Sequence, residues 1–211
     1  MKQVLSYLHE HKSLSYEQAK EVLIRIGKGE VNSAHISAFI SVYLMRSITL
    51  DELCGFRDAL LELCVPADLK EFDPMDVCGT GGDGKDTFNI STCASFVVAA
   101  SGIAVAKHGN HGVSSSVGSS TIMEYFGYKF TNDIDVLKKQ LEHCNICFMH
   151  APLFHPAMKH VAPIRKELGL KTFFNMLGPL VNPATPQTQM SGVFSLELLR
   201  LYGYLFQQSQ V

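Results

Sequence analysis

Apolar residues recur at helical spacing up to about residue 65, and then the pattern changes to short apolar runs separated by glycine-rich and polar segments. The first region predicts four helices. One covers about Gln3–Glu10. The second starts at Ser15, with Gln18 placed to complete a capping box, and carries Ala19, Val22, Leu23 and Ile26 on one face before Gly27 and Gly29 close it. The third starts near Ser33 with Ile36, Phe39, Ile40, Tyr43 and Leu44. The fourth starts at Thr49, with Glu52 in the box position, then Leu53, Phe56, Leu60, Leu61 and Leu63, and stops before Pro66. Four short amphipathic helices make a small bundle over residues 1–65, and nothing in it has a catalytic look. Residues 66–74, polar and closed by a proline at each end, read as a hinge. From residue 75 the prediction is a strand at Met75–Cys78, a helix of small residues at Ser91–Ala100 and a strand at Ile103–Ala106. Helices at 119–126 and 133–142 follow, then a strand at about 145–149, one helix over Pro156–Leu168 and a short helical element at Thr172–Leu177. A strand at Met190–Phe194 and a helix at Leu196–Phe206 end the pattern. Strands alternating with helices give an α/β class with a largely parallel sheet over 75–211, preceded by a small all-helical N-terminal domain.

Composition narrows the function. Eighteen basic against twenty acidic residues leave a formal charge of −2, which argues against a broad nucleic-acid surface but allows a local basic pocket. No apolar run approaches the roughly 18 residues of a membrane span, and Lys2, His9 and Glu10 are out of place in a secretory leader. The six cysteines then read as reduced thiols of a cytoplasmic protein. Cys144 and Cys147 have the spacing of a redox or zinc pair but lack a second pair, so buried small residues are the plainer reading.

Three clusters carry candidate chemistry. The run Asp76-Val77-Cys78-Gly79-Thr80-Gly81-Gly82-Asp83-Gly84 leads into Thr87-Phe88-Asn89-Ile90-Ser91-Thr92, a glycine loop that opens a helix. Backbone N–H groups converge there and the helix N-terminus adds partial positive charge, so phosphate is the expected ligand. The loop lacks the Gly-Lys-Ser/Thr of a Walker A motif and the third glycine of the dinucleotide fingerprint. Asp83 would repel phosphate by itself and suits a sugar hydroxyl, an amine or the loop's own backbone. Ser91 reads as an N-cap or as an oxygen donor to magnesium or phosphate, with Thr87 and Asn89 on the approach. A glycine-rich turn that binds nothing is the bland alternative, and its cost in backbone entropy weighs against it. The second cluster runs from Lys107 and His108 through Gly109, Asn110 and His111 to Ser114–Ser116 and Gly118-Ser119-Ser120, expected just beyond a strand, where open α/β sheets bind ligands. A flexible serine-rich loop is the alternative there. His108 and His111 have no accompanying ligands for zinc. The third is His150, His155-Pro156, His160 and Arg165, with Arg165 expected on the helix that starts at Pro156. It could fork onto a carboxylate or make an ordinary surface ion pair. Asn175 to Asn182, kinked at Gly178-Pro179, could close over the same pocket. No Ser–His–Asp elbow and no reactive-cysteine motif are present, so a covalent mechanism has little support. Two phosphate-friendly loops on adjacent strands suit a substrate with phosphate at both ends.

Together these clusters resemble the anthranilate phosphoribosyltransferase family of tryptophan biosynthesis. The matching residues are Gly79–Gly84, Thr87–Thr92, Lys107–Asn110, Ser115-Ser116, Gly118-Ser119, His155–Lys159, Arg165 and Phe174–Pro183, in order along nearly the whole chain. The resemblance implies a nucleoside-phosphorylase-like (class III) phosphoribosyltransferase fold, a homodimer held through the helical domain, and Mg2+ as cofactor. It implies transfer of the phosphoribosyl group of 5-phosphoribosyl 1-diphosphate to the amine of anthranilate, with release of diphosphate. By the same resemblance Gly79, Gly81, Gly82, Asp83, Thr87, Asn89, Ser91, Thr92, Lys107 and Ser119 hold the diphosphate substrate. Ser91 also touches metal, and Lys107 and Ser91 supply charge to the leaving group. Gly79, His108, Asn110, His155, Arg165 and Gly178 line the anthranilate channel. Two positions depart from the family pattern: His111 stands where arginine is usual, and Thr121 where aspartate is usual. The family's later Asp-Glu pair for magnesium has no counterpart here. The expectation is therefore an incomplete α/β domain, its C-terminal portion absent, with little or no transferase activity alone. A pyrimidine-nucleoside-phosphorylase-like enzyme is the first rival, weighed down by Arg165 and the 174–183 run. A non-catalytic remnant, binding a phosphorylated ligand or nucleic acid, is the second, and the charge of −2 weighs against its nucleic-acid form.

Overall fold

The computed structural model describes residues 1–81, 88–112 and 117–208. Helix α1 covers Lys2–His9, α2 Tyr16–Gly27, α3 Ser33–Met45 and α4 Leu50–Leu63. The two predicted capping boxes are both present, Ser15 with Gln18 and Thr49 with Glu52. Asn32 caps α3 through His35 N. Glu52 does more than cap. It is fully buried, and its carboxylate accepts from Leu14 N (3.0 Å), the Tyr43 hydroxyl (3.1 Å), Thr49 N (3.0 Å) and both Nη atoms of Arg46. Burial pushes its carboxyl up, but the Arg46 guanidinium and the backbone N–H groups win and hold it below the usual range.

The α/β part contains β1 (Met75–Gly79), α5 (Ile90–Ala100), β2 (Val105–Gly109), α6 (Ser119–Tyr125), α7 (Ile134–Cys144) and β3 (Ile146–His150). It continues through α8 (Ala151–Phe154), α9 (Ala162–Leu168), α10 (Phe174–Leu177), β4 (Thr188–Gly192) and α11 (Leu196–Gln208). The four strands are parallel in the order β3-β2-β1-β4. One face of the sheet, through Val77 and Val105, packs on Ala99 of α5. The other, through Ala106, Cys147 and Met149, packs on Leu137 and Leu141 of α7 and on Phe154. The largest core joins the bundle to the later chain: Phe39, Tyr43 and Phe56 surround Phe173, and Ile164, Leu177, Leu180, Leu198 and Leu205 belong to the same cluster.

Several boundaries differ from the sequence expectation. The single helix expected over Pro156–Leu168 is a 3-10 turn at Pro156–His160 followed by α9, because Pro163 has no N–H to donate and can sit only in a first turn. Strand β2 lies two residues later than expected, so Lys107 and His108 are inside it and not in the loop beyond. Strand β4 ends at Gly192, two residues earlier than expected. Cys144 is exposed and Cys147 is buried in β3, and all six thiols are free. Burial pushes the Cys147 thiol up to about 12, as expected of an inert core residue.

Candidate functional site

The sheet order reverses between β1 and β4, and the carboxyl ends of those strands mark the crevice where parallel sheets take ligands. Gly79 ends β1 there. Thr80 donates to Gly192 O through both its N–H (2.9 Å) and its hydroxyl (3.3 Å), which ties the two strand ends together. Gly81 has φ +62°, a left-handed conformation that suits glycine. Gly82, Asp83 and Thr87, named from the sequence, lie outside the described residues, as do Ser115 and Ser116. The chain re-enters at Phe88, and Asn89 caps α5 by accepting from Thr92 N (3.1 Å). Asn89 is therefore the N-cap, not Ser91. An Asn carbonyl reaches the third helical N–H from one residue outside, whereas Ser91 is already inside the first turn. The Ser91 hydroxyl donates to Asn89 Oδ1 (3.4 Å). Thr92 is buried and its hydroxyl lacks a partner among the described residues.

Because strand residues alternate faces, Lys107 and His108 point to opposite sides of the sheet. Lys107 is 2% exposed, and its ammonium donates to Val77 O (2.6 Å). His108 lies against Gly178 O through Nδ1 (3.1 Å), and its backbone N–H donates to Asp76 Oδ1 (3.2 Å). A carbonyl only accepts, so the ring proton sits on Nδ1 and Nε2 carries a bare lone pair, buried and without a partner among the described residues. His155 is placed likewise: Nε2 donates to Val181 O (2.9 Å), and Nδ1 makes no hydrogen bond among the described residues, with the Leu60 carbonyl near the ring. Burial keeps both rings neutral, pushing His108 down to about 3 and His155 to about 4. Their centroids are 5.2 Å apart.

Arg165, on α9, donates to Asn175 Oδ1 (3.2 Å), with its guanidinium 5.3 Å from the Phe174 ring centre. Burial lowers its pKa, and among the described residues no carboxylate lies within ion-pair distance. The segment 174–182 thus gathers residues that the sequence holds apart: Asn175 takes Arg165, Gly178 takes His108 and Val181 takes His155. Asn182 donates to Ala106 O (2.9 Å) in β2. A Cβ at Gly178 would meet nothing within 4 Å, so open space adjoins that position.

Asn110 and Ser119 sit together at the start of α6, with the Ser119 hydroxyl donating to Asn110 O (3.3 Å). A Cβ on Gly109 would come within 2.3 Å of Ser119 Oγ and 2.7 Å of the Phe148 ring, so that glycine is what allows this approach. The two departures from the family pattern meet one another. His111 Nδ1 lies 3.4 Å from the Thr121 hydroxyl, and His111 Nε2 lies 3.6 Å from Glu124. A smaller polar pair, with Glu124 as carboxylate, fills this corner. Asp76, which heads the glycine run but has no role assigned from the sequence, is fully buried in β1. Its one signal was a charge inside an otherwise apolar strand, which reads as a site residue only once both sheet faces are seen to be covered.

Comparison with known proteins agrees with this architecture. Residues 2–64 match the helical bundle domain of a glycosyl transferase family and residues 71–211 match its a/b domain. The chain is 62% identical over 207 residues to the anthranilate phosphoribosyltransferase of Cytophaga hutchinsonii, covering 98% of this chain and 63% of the relative. It is also 62% identical over 211 residues to that of Flavobacterium johnsoniae, covering 100% and 64%. Among solved structures, the anthranilate phosphoribosyltransferase of Thermus thermophilus superposes with TM-score 0.88 at 36% identity, over 97% of this chain and 62% of that one. The Saccharomyces cerevisiae enzyme in complex with PRPP and Mg gives 0.85 at 28%, over 99% and 63%. The chain spans a little under two thirds of the length of these relatives. With both parts matched over nearly all its residues, this chain belongs to that glycosyl transferase family, through its helical bundle and its α/β domain alike.

Proposed function

We propose that these residues serve transfer of a phosphoribosyl group from 5-phosphoribosyl 1-diphosphate to the amine of anthranilate, with release of diphosphate. The observation that carries the reading is Arg165: a buried guanidinium on α9, facing no carboxylate among the described residues and oriented by Asn175 and Phe174 of the segment that also engages His108 and His155. A buried cation so held suits an anionic ligand, and the fork geometry of arginine suits a carboxylate. The diphosphate substrate belongs at the carboxyl end of β1 and the start of α5, held by Gly79, Gly81, Asn89, Ser91 and Thr92; Gly82, Asp83 and Thr87 are assigned to it by the family resemblance alone. Lys107 and Ser119 flank it. As diphosphate leaves, its growing charge is met by the α5 N-terminus and the Lys107 ammonium beneath it, both fixed before the reaction. The aromatic amine then joins ribose C1, oriented by the pocket of His108, Asn110, His155, Arg165 and Gly178.

The Ser91 hydroxyl suits Mg2+ as a hard oxygen donor, and among the described residues no cluster of three acidic, histidine or cysteine side chains competes for the ion. Mg2+ would be held by Ser91 with substrate oxygens and water, and when bound it neutralises diphosphate charge. In this reading residues 1–65 form the helical unit and 66–74 the hinge, with the ligand-binding unit over 75–211. The two matched ranges support the division. The unit pairs with a second copy through the bundle, where α3 turns small residues and the exposed Leu44 and Met45 outward. Among the described residues no helix is long and apolar enough to cross a membrane, and the free thiols fit a cytoplasmic setting.

Calorimetric titration tests the proposal. Arg165→Ala is expected to weaken anthranilate binding about 10- to 100-fold, the loss of one charge-assisted contact, while 5-phosphoribosyl 1-diphosphate binding in Mg2+ changes less than about twofold. Equal loss of both ligands, or no loss of anthranilate, contradicts the assignment.

A further inference from the structure

The carboxylate of Asp76 lies at the centre of the face that carries His108. It is fully buried in β1, its Oδ1 accepts the His108 backbone N–H (3.2 Å), and its Oδ2 has no hydrogen-bond partner among the described residues. The Asn182 amide stands beside it. That amide spends one hydrogen on Ala106 O (2.9 Å), and its carbonyl accepts from Ala184 N (2.9 Å). A primary amide has two hydrogens, so the second is available to the carboxylate. A buried, incompletely paired carboxylate is costly in a parallel strand, where valine or isoleucine would pack without cost. The neighbouring groups explain what it holds. From Asp76 a hydrogen bond runs across to β2 at His108 N, and the Asn182 amide of the 178–182 turn stands beside the carboxylate. That turn supplies Gly178 O and Val181 O to the two imidazoles.

We propose that Asp76 is a positioning residue: its carboxylate fastens β1 and β2 to the turn at Asn182, and so sets the ring of His108 against Gly178 in the arrangement that receives the aromatic acid. The inference rests on the functional reading above for the identity of the ligand, but not for the geometry of the ring. Asp76 touches no substrate. Its charged and titratable neighbours are Lys107, from the other sheet face, Cys78 on the same strand, His108 of β2 and Cys147 of β3. Burial raises its carboxyl to about 6 against the pull of the Asn182 amide, the Lys107 ammonium and two backbone N–H groups. The carboxylate is thus held in the fold at a cost that packing alone would not demand.

Two measurements on Asp76→Ala and Asp76→Asn of the 211-residue chain test this. The first is the 15N shift of the His108 imidazole, which reports the Nδ1 hydrogen bond and needs no ligand. The second is calorimetric affinity for anthranilate and, separately, for 5-phosphoribosyl 1-diphosphate. Expected is a moved His108 Nδ1 signal in Asp76→Ala, at least tenfold weaker anthranilate binding and less than twofold change for the diphosphate, with Asp76→Asn close to wild type in all three. An unmoved His108 signal in folded Asp76→Ala overturns the proposal, as does failure of asparagine to rescue. A wild-type chain that binds neither ligand while the signal still moves overturns the functional reading and leaves the positioning role standing. If Asp76→Ala does not fold, Asn182→Ala cuts the same link from the other side and is read by the same His108 signal.

Discussion

Replacing Phe173 by alanine is expected to lower the unfolding free energy by about 4 kcal/mol, within the roughly 3–5 kcal/mol of buried aromatic truncations. Phe173 is 1% exposed. It stacks on Phe56 (centroids 4.7 Å apart) and on Phe174 (4.3 Å), and meets Tyr43 (5.0 Å) and Phe39 (6.1 Å) edge-on. These partners come from α3 and α4 on one side and from α10 on the other, so the ring joins the bundle to the segment that orients Arg165, His108 and His155. Truncation leaves a cavity between two rigid layers that cannot both collapse into it. Phe173→Leu, closer in volume, is expected to cost about 1.5 kcal/mol or less. Urea unfolding followed by far-UV circular dichroism gives both values. A Phe173→Ala loss under about 1 kcal/mol would show that the later chain is held to the bundle by something else.

The second large effect is acid unfolding. His108 and His155 are held neutral in the fold, at about 3 and about 4, against about 6.5 for a free imidazole. Between those values the unfolded chain binds protons that the folded chain refuses, so stability is complete above about pH 6.5 and falls as pH falls. At pH 4 the two rings together withdraw about 6 kcal/mol. Asp76 works the other way: its carboxyl is raised to about 6, so the folded chain gains a proton between about pH 6 and pH 4. That returns about 2 kcal/mol. The loss from these three groups, about 4 kcal/mol, is a large share of a typical domain's 5–15 kcal/mol, and the depressed His150 and Glu52 act in the same direction. The thermal midpoint is therefore expected to drop steeply between pH 6.5 and pH 4 and to be nearly level from pH 7 to pH 8. A level midpoint down to pH 4 would mean that these rings are not buried and neutral.

The two halves of the chain were not equally legible. The bundle was readable because each helix start is a local event. Ser15 with Gln18 and Thr49 with Glu52 are recognised by spacing alone, and the structure has both boxes. The glycine loop stood out because four glycines fall within six residues, but residues 82–87 lie outside the described residues. Strand ends were harder. The expected end of β2 at Ala106 followed the apolar run, yet the strand continues to Gly109, because lysine and histidine side chains can be buried when a carbonyl accepts a hydrogen bond from each. The helix that carries Arg165 is shorter than the sequence suggests, since a proline in a first turn looks in sequence like a residue inside a longer helix.

Local sequence determined the two capping boxes and the alternation of strand and helix, because each depends on neighbours within a few positions. Tertiary structure decided which of those residues meet. The partners of Arg165, His108 and His155 lie ten, seventy and twenty-six residues away. Asp76 heads the glycine run in the sequence, but its partners appear only where β2 and the 178–182 turn close over it. Protonation state belongs to that second group as well. A histidine in the sequence has an ordinary pKa, and only removal from water, with a carbonyl fixed on one nitrogen, makes it the neutral acceptor found here.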